Sequence, residues 1–374
     1  MEPHELGRAD AAPLRPDIAE LYPPELDNVL SNLSCFSGLQ LLSLDFPFDH
    51  CNPNRRRRRR LHNQHEPCAS TTQKREDTWR GLVSASFGAI ASNYTDNNSN
   101  TAQFASLEIH NLNPIALPVI ATTPFHSLLS RLKSLKLTLT PPDYLSLHEI
   151  ITVRSASIPL DNFGPWFFNH LASLEELSFN PDPSNSGPHM GNAGQNPAYI
   201  QDIGPRNATM SKLKKVTLAN IFVCAELTGF LCRHLPSLED ITLHFCRAYV
   251  PYDNNDGGNN GNKNSWSTLF KSITSANPPA LKSFTFTTPQ DELILWSPDD
   301  DWLDSDLVEA MYRTREAEPN TLLFPHYEIW DRECVMRDMG VNIRSFLAGE
   351  DYGAFLGLRG VLRWNAGGEE TRVT

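Results

Sequence analysis

The chain has 374 residues, 40% of them hydrophobic and 20% charged, which suffices for a sizeable core in two or three compact domains or in one elongated repeat array. The formal net charge of -12 and a pI near 5.5 argue against a protein that lives on nucleic acid or anionic membrane. No run of about 18 apolar residues occurs, so no bilayer span is expected, and the proline-spaced opening "MEPHELGRADAAPLRPDIAE" holds no apolar stretch of the kind a secretory signal needs.

Taken in chain order, residues 1–20 read as a disordered N-terminus. Residues 21–33, "LYPPELDNVLSNL", read as a helix that turns Leu26, Val29, Leu30 and Leu33 inward. Leu39, Leu42 and Leu44 in "GLQLLSLDF" then open a pattern of apolar-x-x-apolar-x-apolar. An insertion over 51–78 carries "NRRRRRR", and residues 79–92 form a helix candidate. The pattern returns as Phe104/Leu107/Ile109 and as Leu132/Leu135/Leu137. Two further helix candidates, 143–153 and 161–172, lead to Leu174/Leu177/Phe179. A Gly-, Asn- and Pro-rich insertion over 180–207 precedes Leu213/Val216/Leu218. Residues 222–234 have helical spacing and lead to Leu238/Ile241/Leu243 in "HLPSLEDITLHFC". After a third breaker-rich insertion, 251–264, a helix over 265–276 with Ser265 as its cap leads to Leu281/Phe284/Phe286. Insertions of this composition cannot build a core, and all three are expected to be mobile. From 289 to 374 the pattern stops. An acidic helix start and a helix from about Ser305 suit an atypical end unit.

Successive copies of the pattern start 65, 28, 42, 39, 25 and 43 residues apart, and all but the first interval fit one strand, one helix and a loop. Strand alternating with helix at such a period predicts an α/β solenoid, 21–288, whose strands stack in one parallel sheet with helices on one face. Neighbours in a strand point to opposite faces, so the residues flanking the apolar pair face outward. There are 21 of these and 19 are polar or charged, whereas a sheet covered on both faces would be apolar on both. One open, polar face is therefore expected.

With those residues in view, the chain resembles the F-box/leucine-rich-repeat proteins of filamentous fungi. The resemblance rests on the "LxxLxL" strands, above all "HLPSLEDITLHFC" and "RLKSLKLTLT", and spans roughly residues 20–350. It implies an irregular, horseshoe-like leucine-rich-repeat solenoid and a substrate receptor whose F-box docks on the adaptor of an SCF-type ubiquitin ligase. "LYPPELDNVLSNL" imitates the opening of an F-box. The residues after it, "SCFSGLQLLSLDF", already belong to the first strand and leave no room for the remaining F-box helices.

The expected working surface is the sheet face, with Ser43, Glu108, His110, Lys136, Thr138, Glu176, Ser178, Lys215, Thr217, Asp240, Thr242, His244 and Thr285 available to a protein partner. Seven cysteines, an odd number without an export signal, point to reduced thiols and a cytoplasmic or nuclear protein. Arg55, Arg56, Arg57, Arg58, Arg59 and Arg60 form a run that serves nuclear import or simply a solvated loop. His50, Cys51, His62, His65 and Cys68 crowd around the run, but their spacing matches no standard zinc finger, so no metal or other cofactor is expected. No G-x-S-x-G, H-E-x-x-H or phosphate-loop motif occurs, which favours a non-enzymatic scaffold. An enzyme on a β-solenoid would need strands much closer than 25 residues apart. The other alternative is a repeat protein with no ubiquitin role.

Overall fold

The computed structural model describes residues 22–46, 69–94, 104–112, 117–139, 167–180, 210–250, 265–287, 305–330, 334–337 and 339–367. The N-terminal 1–20, the expected helix 143–153, the insertion 251–264 and nearly all of 180–207 lie outside them. Two compact units emerge: residues 1–40, 48–103 and 117–128 in the first, and 41–47, 104–116 and 129–374 in the second.

The first unit is helical. Helix α1 (Pro24–Ser31) starts on a proline, whose fixed φ and missing N–H suit a first turn, and carries Glu25 and Asp27 near the positive end of its dipole. A 3-10 turn (Leu33–Cys35) follows. Helix α2 spans Ala69–Ser92. It therefore begins inside the 51–78 stretch expected to be a mobile insertion, because "ASTTQKRED" contains no glycine or proline to stop it. Asn93 Nδ2 donates to Leu30 O at 2.7 Å, tying the end of α2 to the end of α1. Phe87 on α2 meets Phe125, on the early part of α3 (Thr123–Arg131), with ring centroids 5.1 Å apart. No helix is expected at α3, since "PFHSLLSRL" runs straight into the next strand pattern. On α1 the expectation is half right: Leu30 and Leu33 are buried, whereas Leu26 and Val29 are 37% and 46% exposed.

In the second unit the seven apolar patterns form seven strands of one parallel sheet that does not close on itself. They are β1 (Leu41–Asp45), β2 (Ser106–Leu112), β3 (Ser134–Leu139), β4 (Glu176–Asn180) and β5 (Lys215–Ala219). After the two-residue β6 (Phe222–Val223) come β7 (Asp240–His244) and, beyond β8 (Arg247–Val250), β9 (Ser283–Thr287). Spatial order follows the chain: β1-β2-β3-β4-β5-β7-β9. Every pairing puts like positions side by side. Leu42, Leu107, Leu135, Leu177, Val216, Ile241 and Phe284 form one row. Leu44, Ile109, Leu137, Phe179, Leu218, Leu243 and Phe286 form the next. Both rows are buried from β2 to β7 but only half-buried at Leu42 and Leu44.

Strands β3, β4, β5, β7 and β9 open on the same backbone device, in which a carbonyl before one strand accepts from two successive N–H groups at the start of the next. Ala105 O takes Lys133 N and Ser134 N at 2.8 and 3.1 Å, and Lys133 O takes Glu175 N and Glu176 N at 2.7 and 2.9 Å. Glu175 O, Lys214 O and Glu239 O repeat it across β5, β7 and β9. Residues in the left-handed region follow β5 and β7, Asn220 (φ 55°) and Phe245 (φ 51°), and a third, Asn111 (φ 58°), sits near the end of β2. Asparagine tolerates this conformation because its short side chain bonds locally.

Past Asn220 and Phe245, at equivalent positions of neighbouring strands, the chain enters a second sheet of order β11-β10-β8-β6. Its remaining strands are β10 (His326–Trp330) and, antiparallel to it, β11 (Cys334–Arg337). Two expected helices are thereby corrected. Phe222 and Val223 are strand, and α4 (Ala225–His234) starts only after an extended Cys224. Of 161–172, the described part holds only a 3-10 turn at Phe168–His170. The expected helix at 265–276 is present as α5 (Trp266–Ser275), and Ser265 Oγ accepts from Thr268 N at 3.1 Å as its cap. Residues 305–367 contain α6 (Ser305–Ala317), α7 (Met339–Ala348) and α8 (Glu350–Asn365) besides the two strands. Beneath β9 an aromatic cluster joins Trp266, Phe270, Phe284, Phe286, Phe324 and Phe355, with neighbouring centroids 5.1–6.3 Å apart.

Leu243 and Leu44 occupy the same row, one fully buried and one half-buried. Leu243→Ala is expected to cost about 2–5 kcal/mol in urea unfolding, and Leu44→Ala well under half of that.

Candidate interaction face

The outward residues of the seven-stranded sheet fall in register as well. Ser43, Glu108, Lys136, Ser178, Thr217, Thr242 and Thr285 stand side by side as one continuous row over seven strands. All keep solvent access. A second row carries Glu176, Lys215 and Asp240 in pairing contact. The third is broken. His110 pairs with Asp45 and Thr138 with Asn180, but a register shift after Ile109 separates His110 from Thr138. Asn111 bridges that step, its backbone N–H donating to Thr138 Oγ1 at 3.0 Å and its Nδ2 to Asp45 Oδ1 at 2.8 Å. At the far end His244 lies beside Thr287, Nδ1 to Oγ1 3.1 Å. The structure thus brings together all thirteen sheet-face residues named from the sequence. Arg55–Arg60 and the His/Cys group around them lie outside the described residues.

The charges of this face largely answer one another. Glu108 Oε2 stands 3.1 Å from His110 Nε2 and 3.8 Å from Lys136 Nζ. Glu176 pairs with Lys215 at 3.0 Å, and Asp240 accepts from Ser283 Oγ at 2.6 Å. Just before the strands a further row runs Lys133, Glu175, Lys214, Glu239, Lys282, alternating in sign. Glu175–Lys214 and Glu239–Lys282 are contacts of 2.7 and 2.5 Å. The Lys214 hydrogen bond holds the Glu175 carboxyl below its ordinary value, and the Lys282 hydrogen bond does the same for Glu239. In return Glu175 raises Lys214 and Glu176 raises Lys215. Exposed pairs of this kind add little to stability. Their effect is on character: from β4 to β9 the charge is confined to the strand entrances, and the middle row is hydroxyls alone.

A second polar group, which sequence reasoning missed, is buried among β10, α5, α7 and α8. His326 Nε2 lies 2.8 Å from Asp351 Oδ2, and the two side chains are 3% and 6% exposed. Asp351 also accepts from Ser267 N at 2.7 Å and Ser345 Oγ at 2.5 Å, while Asn342 exchanges two hydrogen bonds with the His326 backbone. Burial alone would raise the Asp351 carboxyl; His326, Ser345 and the Ser267 N–H together outweigh it and hold the carboxyl below its usual 3.8. Ser345 bonds the aspartate rather than the histidine, so no nucleophile–base pair forms. The adjoining recess, lined by Phe346, Tyr352 and others, has space for about one water molecule. Its members are separated by up to 84 residues, and no spacing in the sequence marks them.

Cys224 and Cys246 are buried thiols pushed up to about 12 by that burial, which leaves them unreactive. Cys232, on the same helix as the residues that follow Cys224, is only partly buried. Among the described residues no group of three or more His, Cys, Asp or Glu is placed to hold a metal ion. No helix among them is long and apolar enough to cross a membrane. Compared with known proteins, the chain matches no family model and no curated protein.

Because the folded Asp351 pKa is depressed, its stabilising share is present above the ordinary value of 3.8 and is lost as pH falls through the folded value. Asp351→Ala is expected to cost about 3–5 kcal/mol at neutral pH, since His326 is left buried without its partner. Denaturant melts of the two proteins should converge below pH 4.

Proposed function

We propose that the chain is a non-enzymatic, leucine-rich-repeat-type scaffold that binds a protein through the polar face of its seven-stranded sheet. The observation that carries this reading is the unbroken row from Ser43 to Thr285, in which five hydroxyls, the Glu108 carboxylate and the Lys136 amine stand at fixed strand spacing. The irregular intervals between strands agree with a repeat solenoid, and so does a spatial order that follows the chain. A row of polar side chains that contains no aromatic residue suits a partner held by hydrogen bonds over a wide area rather than by one deep pocket.

A second reading adds recruitment of an SCF-type ligase. Leu26 and Val29, one helical turn apart on α1, and Phe36 beyond it are 37%, 46% and 49% exposed. Leu26 and Val29 are the apolar surface an F-box-like opening helix would offer to an adaptor, and the stretch containing them is the one that imitates an F-box.

The test is affinity purification of the tagged full chain from its own cells, in parallel with a Thr217→Arg/Thr242→Arg variant and a Leu26→Asp/Val29→Asp variant. The arginines project bulk and charge from the centre of the face, so the main co-purifying protein should be depleted at least tenfold from the first variant. Equal recovery from wild type and this variant, with circular dichroism unchanged, would sink the sheet-face reading. An SCF adaptor recovered with wild type and lost only from the second variant assigns the ligase link to α1.

A further inference from the structure

Three strands of the seven-stranded sheet carry a left-handed residue two positions past the second apolar row: Asn111 after Ile109, Asn220 after Leu218 and Phe245 after Leu243. Asparagine bears this conformation with little strain. Phe245 does not: at φ 51° a bulky side chain with no local hydrogen bond of its own is a true outlier. The backbone is pinned there, since Phe245 N donates to Thr287 O at 2.8 Å. The ring is only partly buried, and among the described residues it meets no other ring. Phe284 and Phe286, in the cluster beneath β9, each meet at least one. Strain held in place by the surrounding structure, for a side chain the aromatic core does not use, points to a use outside the fold.

The position is telling as well. Phe245 lies three residues past Thr242 of the central row and directly after His244, at the exit of β7. From β4 to β9 that row is Ser178, Thr217, Thr242 and Thr285, each able to donate and to accept. The flanking charges are already answered: Glu175 by Lys214, Glu176 by Lys215 and Glu239 by Lys282. A charged group brought over the hydroxyls would lose water and find these counter-charges engaged, a penalty that works against charged partners. We propose that Phe245 is the anchor residue of the sheet face, and that the partner is a protein segment that sets an apolar side chain on its ring within an uncharged stretch of hydroxyl and amide groups. This rests on the sheet-face reading and adds what the face selects. Aromatic residues are enriched where protein surfaces meet, and the row itself supplies none. Four strands about 4.8 Å apart spread the hydroxyls over about 14 Å, the reach of about four residues of extended chain.

The test is to pan a phage-displayed random-peptide library on the full chain, with the Thr217→Arg/Thr242→Arg chain for counter-selection. Retained peptides should hold Lys, Arg, Asp and Glu at about half their input frequency or less, and carry a Leu, Met or aromatic residue. As synthetic peptides they should bind Phe245→Asn about tenfold or more weakly, and Phe245→Tyr as they bind wild type. Phe245→Asn installs at this position the residue type found at 111 and 220, so its thermal midpoint should match wild type, whereas a ring with a purely structural role would lower it. Retained peptides that are rich in charge, or that bind Phe245→Asn as they bind wild type, overturn the proposal and leave the sheet-face reading standing. A Phe245→Asn chain that melts well below wild type overturns it too, the ring then being core. If no peptide distinguishes wild type from Thr217→Arg/Thr242→Arg, both the proposal and the sheet-face reading fall.

Discussion

Lateral register is the constraint on which the second unit depends. A one-residue slip of any strand would turn its leucines to the polar face and its serines and threonines into the core. The two apolar rows, seven residues each, lock all strands at once, and Leu132, Leu174, Leu213, Leu238 and Leu281 behind them are fully buried as well. The polar rows line up because the apolar rows do. Order on the candidate face thus costs no dedicated contacts of its own and derives from burial on the other side.

The apolar-x-x-apolar-x-apolar spacing made all seven strands legible because each is short, periodic and bounded by polar residues. Helices with one clear stripe and a cap, such as α5 after Ser265, were equally readable. What escaped was set by context. Phe222 and Val223 have helical spacing with Leu227 and Phe230, yet Asn220 bends the chain away from β5 and pairs them with β8. Leu26 and Val29 lie on the same helix as the buried Leu30, and no local pattern says that α2 covers only one side of it. Thirteen face residues were recoverable since alternation in a strand is strict. The His326–Asp351 group was not, because tertiary packing alone joins its members.

Charge placement separates two jobs on the polar face. The alternating Lys133-Glu175-Lys214-Glu239-Lys282 row and the Glu176–Lys215 pair neutralise the strand entrances. A surface whose charges are paired internally exerts little long-range pull, so a partner found there is selected at contact range and not steered from a distance. The overall charge of -12 must then act through other parts of the chain.

The half-buried Leu42 and Leu44 also give the sheet a direction. Among the described residues β1 is bonded to a strand on one side and has a thin layer of apolar cover, whereas β5 and β7 are held on both sides and fully covered. Opening from the β1 edge exposes the least apolar surface and breaks one ladder; opening at β7 breaks two. Amide protons should therefore exchange in a gradient along the sheet, fastest in β1 and slowest around β5 and β7, so that the row of polar side chains sits on a support whose lifetime grows from the β1 edge toward β5 and β7.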